Sequence, residues 1–419
     1  MDLLRYIENS PSPAWAAENA AQQLLKAGFR DASGGKITAG SDIFFRPHSG
    51  MLIAARMPAQ LSDKVAAFRI IGAHTDSPHL RLKANAGIKK EDMLTLFVEV
   101  YGGALLYSWF DRELGIAGEL YYGTAAGIEK KLIRANKALA IVPSLAIHLQ
   151  RGVNEDGLIP DKAEGLNAIL SLGEGSDTFT EWLAAEAGIS ASSILSYDLS
   201  LFDLAKPARG GLNNEFIYAA RLDNLVSCHT AISALLSAKN TNAVTIAALF
   251  DHEEIGSVSE GGAASGITEA VLAEIAGAFG ISGGMFREML GRSVFLSADM
   301  AHGVHPHHAA RHDSNATNRP RLGGGVTVKI NQNRRYATSA QTEALFNDLC
   351  RRHNIRHQLY THRNDLPCGS TIGPTLSAKI GIATLDVGVA MLGMHSIRET
   401  CAHSDLGEYE KFMLAFLTE

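Results

Sequence analysis

Ionisable residues recur along the chain just past apolar runs or in polar sequence beside a helix: His74 and Asp76, Asp223, Glu253 and Glu254, Asp299, and His395. Two histidines with several carboxylates suit hard or borderline divalent ions, and the lack of cysteine ligands argues against a structural zinc knuckle. The implied centre is catalytic and open. Side chains at i and i+2 of an extended segment point the same way, so Asp76 can accept the second ring N–H of a metal-bound His74. The competing reading of that pair is an Asx-type turn before Ser77 and Pro78. Glu253 and Glu254 are adjacent and diverge, so one can ligate a metal while the other faces the attacking water. A metal lowers the pKa of water toward about 7, and a carboxylate within reach can take its proton and pass it to a leaving amine. The competing reading is an acidic helix N-terminus favoured by the helix dipole. Asp223 reads as an ordinary helix N-cap or as the carboxylate that bridges two metals about 3.5–4 Å apart. The histidine-rich stretch 301–308 reads as a polar loop, one or two of whose histidines touch substrate or support a ligand, and not as a separate site.

These positions need strands and helices to hold them. Residues 243–250 are a continuous apolar run, as in a strand buried on both faces, and they lead directly into Asp251, His252, Glu253 and Glu254. Met51–Arg56 and 68–73 read as strands, the second running into His74; a polar cluster at a strand exit is where open α/β sheets place ligands. A helix is expected over 12–28, with Ser12 as its cap and Pro13 in its first turn. From about 90 to 212 the texture changes to strand-like alternation, as at 94–101 and 137–142, with 165–175 expected as a flexible excursion. The α/β rhythm then resumes: helix 221–239, helix 268–279, strand 293–299, strand Val326–Ile330, helix 339–354, strand 358–360 and strand 382–387 before the polar stretch 394–399. The fold class expected is α/β, as a catalytic domain in two segments, 1–88 and 213–419, separated by an inserted β-rich domain over 89–212.

Composition narrows the function classes. At 419 residues and 46% hydrophobic, the chain can bury a large core in two domains. A net charge of -6 with no Lys/Arg-rich run leaves no footprint for nucleic acid or an anionic membrane. The four cysteines, Cys228, Cys350, Cys368 and Cys401, are scattered and fit a reducing compartment. The N-terminal stretch lacks a secretory pattern, and no apolar run approaches the roughly 20 residues that span a bilayer. A cytoplasmic protein is expected.

Eight stretches carry a resemblance: SPSP at 10–13, GAHTDSP at 72–78, RLDN at 221–224, DHEEIG at 251–256, SADMAH at 297–302, KINQNRRYA at 329–337, NDLPCGSTIGP at 364–374 and MHSIRE at 394–399. In this order the chain resembles the M18 metallo-aminopeptidases, the family that includes aspartyl aminopeptidase, and most closely their bacterial branch. The resemblance implies a three-layer zinc-peptidase domain with an inserted β-rich oligomerisation domain and a two-zinc centre per subunit; manganese or cobalt also suits so carboxylate-rich a site. His74 and Glu254 match positions on one ion, Asp299 and His395 on the other, and Asp223 the bridge; which ion takes which unshared carboxylate stays open. Glu253 matches the general base and Asp76 the aspartate behind the first histidine. Lys329 and Tyr336 match a lysine and tyrosine that hold an acidic substrate side chain, and His148 a histidine that enters a neighbouring subunit's site in a tetrahedral dodecamer. The activity implied is hydrolysis of the N-terminal residue, preferably Asp or Glu, from short peptides with a free N-terminus. Two other readings compete: a two-zinc carboxypeptidase or N-acyl deacylase of the same fold, and a non-catalytic scaffold.

Overall fold

The computed structural model describes residues 1–61, 66–173, 178–239 and 242–419. Its larger sheet has 13 strands, and at its centre four parallel strands stand in the order Val244–Phe250, Phe68–His74, Val294–Ala298 and Ala383–Leu392. All seven residues of Val244–Phe250 are buried, because helices cover both faces. Alternate side chains serve opposite cores, as strand geometry requires. Ile71, Ala73, Ala247, Leu249 and Leu296 pack with Leu225, Phe346, Tyr409 and Phe412 on one side. Phe68, Ile70, Ile246, Phe250 and Phe295 pack with Leu272, Met289 and Leu376 on the other. Helices Leu222–Ser237, Ala340–Arg352 and His403–Thr418 thus form one outer layer, and Ile267–Gly277, Gly283–Arg292 and Ile372–Ile380 the other.

Parallel register decides where these strands end. Phe250 lies opposite His74, Ser297 opposite Gly72, and Ala298 opposite Val387. The residues that follow each strand therefore leave along one carboxyl edge, where such sheets place ligands.

A second, antiparallel sheet has six strands in the order Gly127–Ala140, Leu114–Thr124, Ile194–Asp203, His79–Lys90, Met93–Tyr101 and Ala168–Ser171. Helix Phe179–Ala187 closes its core of Leu80, Leu96, Ile116, Leu120 and Leu199. This sheet begins at His79, before the boundary expected at 89, and Ala208–Gly210 already pairs in the large sheet. A register shift between Leu82 and Gly87 breaks the alternation that would have announced the strand. Within the stretch expected as an excursion, Ala168–Ser171 is a strand paired with Met93–Tyr101; residues 174 and 175 lie outside the described residues. The strand expected at 137–142 is the end of the longer Gly127–Ala140. Helix Pro13–Lys26 starts where expected, but Ser12 makes no side-chain cap bond, and its hydroxyl is buried without a partner.

Candidate metal centre

His74 closes its strand 1% exposed, and its Nδ1 bonds the backbone carbonyl of Asp76 at 3.0 Å. That bond turns Nε2 toward Asp223 Oδ1 at 3.4 Å and Asp299 Oδ1 at 3.7 Å. Asp76, expected behind this ring, approaches it more closely with its backbone carbonyl than with its carboxylate. Its Oδ1 stands 3.4 Å from Nδ1, because the strand ends at His74 and the i, i+2 alignment ends with it. The carboxylate instead accepts the backbone N–H groups of Glu253 and Glu254 at 3.1 and 3.0 Å and the Tyr101 hydroxyl at 2.7 Å.

Glu253–Ile255 is a single 3-10 turn entered through His252 at φ 61, so the two glutamates do not head an α-helix. Their amides are tied to Asp76, and Glu254 Oε1 lies 3.4 Å from His395 Nε2. Asp223 and Asn224 have non-helical backbone angles at the start of Leu222–Ser237. The Asp223 carboxylate splits between the histidines: Oδ1 faces His74, and Oδ2 lies 3.5 Å from His395 Nε2. Asp223 is therefore not the helix cap; its carboxylate stands between the two histidines. His395 sits at φ 68, its amide bonded to Glu399 Oε1 at 2.7 Å and its Nδ1 to the Gly103 carbonyl at 3.1 Å. Non-glycine residues in this region store strain, which concentrates at functional sites.

Two triads sharing Asp223 result: His74 with Asp299, and His395 with Glu254. The resemblance leaves the unshared carboxylates unassigned, and these distances set Asp299 beside His74 and Glu254 beside His395. The centre is compact enough that ligand atoms of His74, Asp223 and Glu254 also lie within 4.8 Å of one another.

Divalent ions fit this donor set. Asp223 Oδ1 and Glu254 Oε1 are buried without a hydrogen-bond partner, an expensive condition unless a cation satisfies them. The gaps of 3.4 and 3.5 Å between histidine nitrogens and Asp223 oxygens are close to the roughly 3.3 Å that separates two ligands on a tetrahedral zinc with bonds of about 2.0–2.1 Å. Charge agrees. Burial pushes Glu253 up to about 8, reinforced by Asp299, Asp76 and Asp223, and burial together with Asp223 raises Glu254. The histidines do not neutralise these two glutamates, whereas His395 and His74 outweigh burial and hold Asp223 low. Burial works against the charged form of His395, but Asp223 and Glu254 outweigh it and hold the ring at about 10.

A cavity of about 340 Å³ opens on the centre, lined by His74, Asp223, Glu253, Glu254, Asp299 and His395, and also by Lys329, Tyr336 and His302. Lys329 is 2% exposed; its Nζ bonds the Met300 carbonyl at 3.0 Å, stands 3.3 Å from Asp299 Oδ2 and lies 5.2 Å from the centre of the Tyr336 ring. Of the histidine-rich stretch, His302 reaches the cavity; burial and Lys329 push it down to about 4, so it is neutral. His305, His307 and His308 cluster on one another, with ring centres 5.9 and 4.7 Å from that of His305. His148 is exposed in the loop after Gly127–Ala140 and does not line its own chain's cavity. Two contributors are not singled out by the sequence. Glu399, 2% exposed, accepts the amides of both Asp223 and His395, and Tyr101 reaches Asp76 from the small sheet.

Comparison with known proteins gives a consistent result. A family model described as aminopeptidase I zinc metalloprotease (M18) matches residues 6–417. A probable M18 family aminopeptidase 2 of Pseudomonas paraeruginosa is 41% identical over 423 aligned positions, covering 99% of this chain and 96% of the relative. Among solved structures, the cryo-EM structure of the Ape4 and Nbr1 complex superposes with a TM-score of 0.94 at 32% identity, covering 100% of this chain and 85% of that one. The mApe1 dodecamer of S. cerevisiae gives 0.84 at 26% identity, covering 99% and 95%.

Proposed function

The chain belongs to the M18 family of zinc aminopeptidases, and from that premise we propose that it removes N-terminal Asp or Glu from short peptides through two zinc ions. His74 and Asp299 would hold one ion, His395 and Glu254 the other, and Asp223 both. The observation that carries this reading is the division of the Asp223 carboxylate between the two histidines. Bound zinc supplies Lewis acidity, lowering the pKa of water and polarising a carbonyl. Manganese or cobalt can stand in at so carboxylate-rich a centre.

The chain's own residues do the rest. Glu253, its amide fixed by Asp76, takes one proton from the attacking water as the water oxygen bonds to the scissile carbonyl carbon. The C–N bond then breaks, and Glu253 returns the proton to the leaving amine. Products are the free amino acid and the shortened peptide. The substrate's α-amine sits among the carboxylates, which is why a free N-terminus is required. Lys329 and Tyr336 face the substrate's first side chain, where a buried ammonium favours a carboxylate through a charge-assisted bond.

Lys329 has a second claim on it, since it also faces Asp299. A panel of Asp, Glu and Leu substrates with Lys329→Met separates the two roles. The proposal expects losses on Asp and Glu that far exceed the loss on Leu. Equal losses on all three, with lowered metal content, would reduce Lys329 to a counter-charge for Asp299.

A homo-oligomer of tetrahedral dodecamer form is part of the proposal. It is supported by the dodecameric relative and by Leu145, Ile147 and Leu149, which flank His148 at 57%, 47% and 73% exposure. In that assembly His148 would enter a neighbour's site. A cytoplasmic location fits the four free cysteines, and among the described residues no helix is long and apolar enough to cross a membrane.

A further inference from the structure

Given the two-ion centre proposed above, we infer that residues 101–103, where the small sheet meets the large one, position the metal-ligating turns and make the small sheet a working part of the hydrolytic site. Tyr101 ends the strand Met93–Tyr101, 7% exposed, with its ring stacked on His79 at 4.5 Å between centres. Its hydroxyl donates to Asp76 Oδ2, the same oxygen that accepts the Glu254 amide, while Oδ1 accepts the Glu253 amide. One O–H therefore fixes the carboxylate plane from which both glutamates hang. Burial, with Asp76 adding, pushes the Tyr101 phenol well up, so it remains a donor.

The next two residues touch the same side of the centre. Gly102 has φ 67, and a Cβ there would stand 3.0 Å from Glu254 Cβ; both facts disfavour a side chain. The Gly103 carbonyl accepts the His395 Nδ1–H, which sets the tautomer that leaves Nε2 to face Asp223 and Glu254. Leu105 and Ser108 extend the hold: the Leu105 amide donates to the His395 carbonyl at 2.9 Å, and Ser108 Oγ accepts the Ile397 amide at 3.0 Å. Asp299, by contrast, is held from the large sheet, by the Val387 carbonyl at its amide and Lys329 at its carboxylate. The segment thus bears on the His395 and Glu254 ion more than on its neighbour.

Tyr101→Phe keeps the ring and its stacking and removes only the hydroxyl. Metal-stripped protein is titrated with zinc against a chromophoric chelator, and the visible spectrum of the cobalt-loaded protein is recorded. One of two equivalents should bind about 10–100-fold more weakly, the scale of lost outer-shell support. The cobalt bands should change, and kcat should fall with KM little altered. Gly102→Ala should weaken the same equivalent. Tyr197→Phe, which loses a hydroxyl bonded to the Lys83 carbonyl and the Ala86 amide inside the same sheet, should bind both equivalents as before. Unchanged zinc affinity and cobalt bands in Tyr101→Phe overturn the inference. A wild-type chain that takes up a single ion overturns the two-ion reading instead, and the same variants then judge the inference on that ion.

Discussion

Two buried carboxylates that need never touch substrate organise the site at the scale of single residues. Asp76 gathers the amides of Glu253 and Glu254, and Glu399 gathers those of Asp223 and His395. Each converts a strained turn into a fixed ligand position. Glu253→Gln should keep its full metal content yet lose roughly 100-fold or more in kcat, the range of a lost general base; metal analysis alongside steady-state rates checks it. Near-normal turnover with full metal would remove Glu253 from that role. Glu399→Ala should weaken metal binding by about 10–100-fold, measured by chelator competition, because both amides lose their acceptor. The proposed ligands His74, Asp223, Glu254, Asp299 and His395 stood out in the sequence because the same placement beside apolar strands recurs five times. Glu399 did not, since a carboxylate that serves backbone amides leaves no spacing to read.

Strand ends carry these residues to one place, and the packing between strands leaves little slack. A Cβ on Gly388, in Ala383–Leu392, would lie 1.9 Å from the Asp299 carbonyl oxygen. Gly388→Ala should therefore push Asp299 away, lowering stability by about 1–3 kcal/mol and weakening metal binding with it. Denaturant unfolding and zinc titration test this together, and an unchanged midpoint would show that the strands can yield. Continuous apolar runs and alternation made the central strands readable. Gly283–Arg292 was hidden because Gly283, Gly284 and Gly291 depress helix propensity, and burial of Phe286, Met289 and Leu290 overrides it. His403–Thr418, also absent from the expected elements, did carry a helical signal in Tyr409, Phe412, Met413 and Phe416.

For the whole molecule, the proposed metal centre draws on segments far apart in the chain, so ion binding should stabilise the fold. Free metal at 1,000 times its dissociation constant contributes about 4.1 kcal/mol; chelation should accordingly lower Tm, and zinc should restore it. Sedimentation should give a particle of about twelve chains of 44.8 kDa each, and a monomer would remove His148 from the site. Assembly leaves little trace in spacing, because the residues that meet across copies follow no period within one chain. The most direct test compares aminoacyl substrates of Asp, Glu and Leu with their N-acetylated forms, using metal-stripped protein before and after zinc is returned. Hydrolysis should vanish on stripping, return with zinc, favour Asp and Glu, and spare every blocked substrate. Undiminished hydrolysis without metal, or equal hydrolysis of blocked and free substrates, would contradict the account.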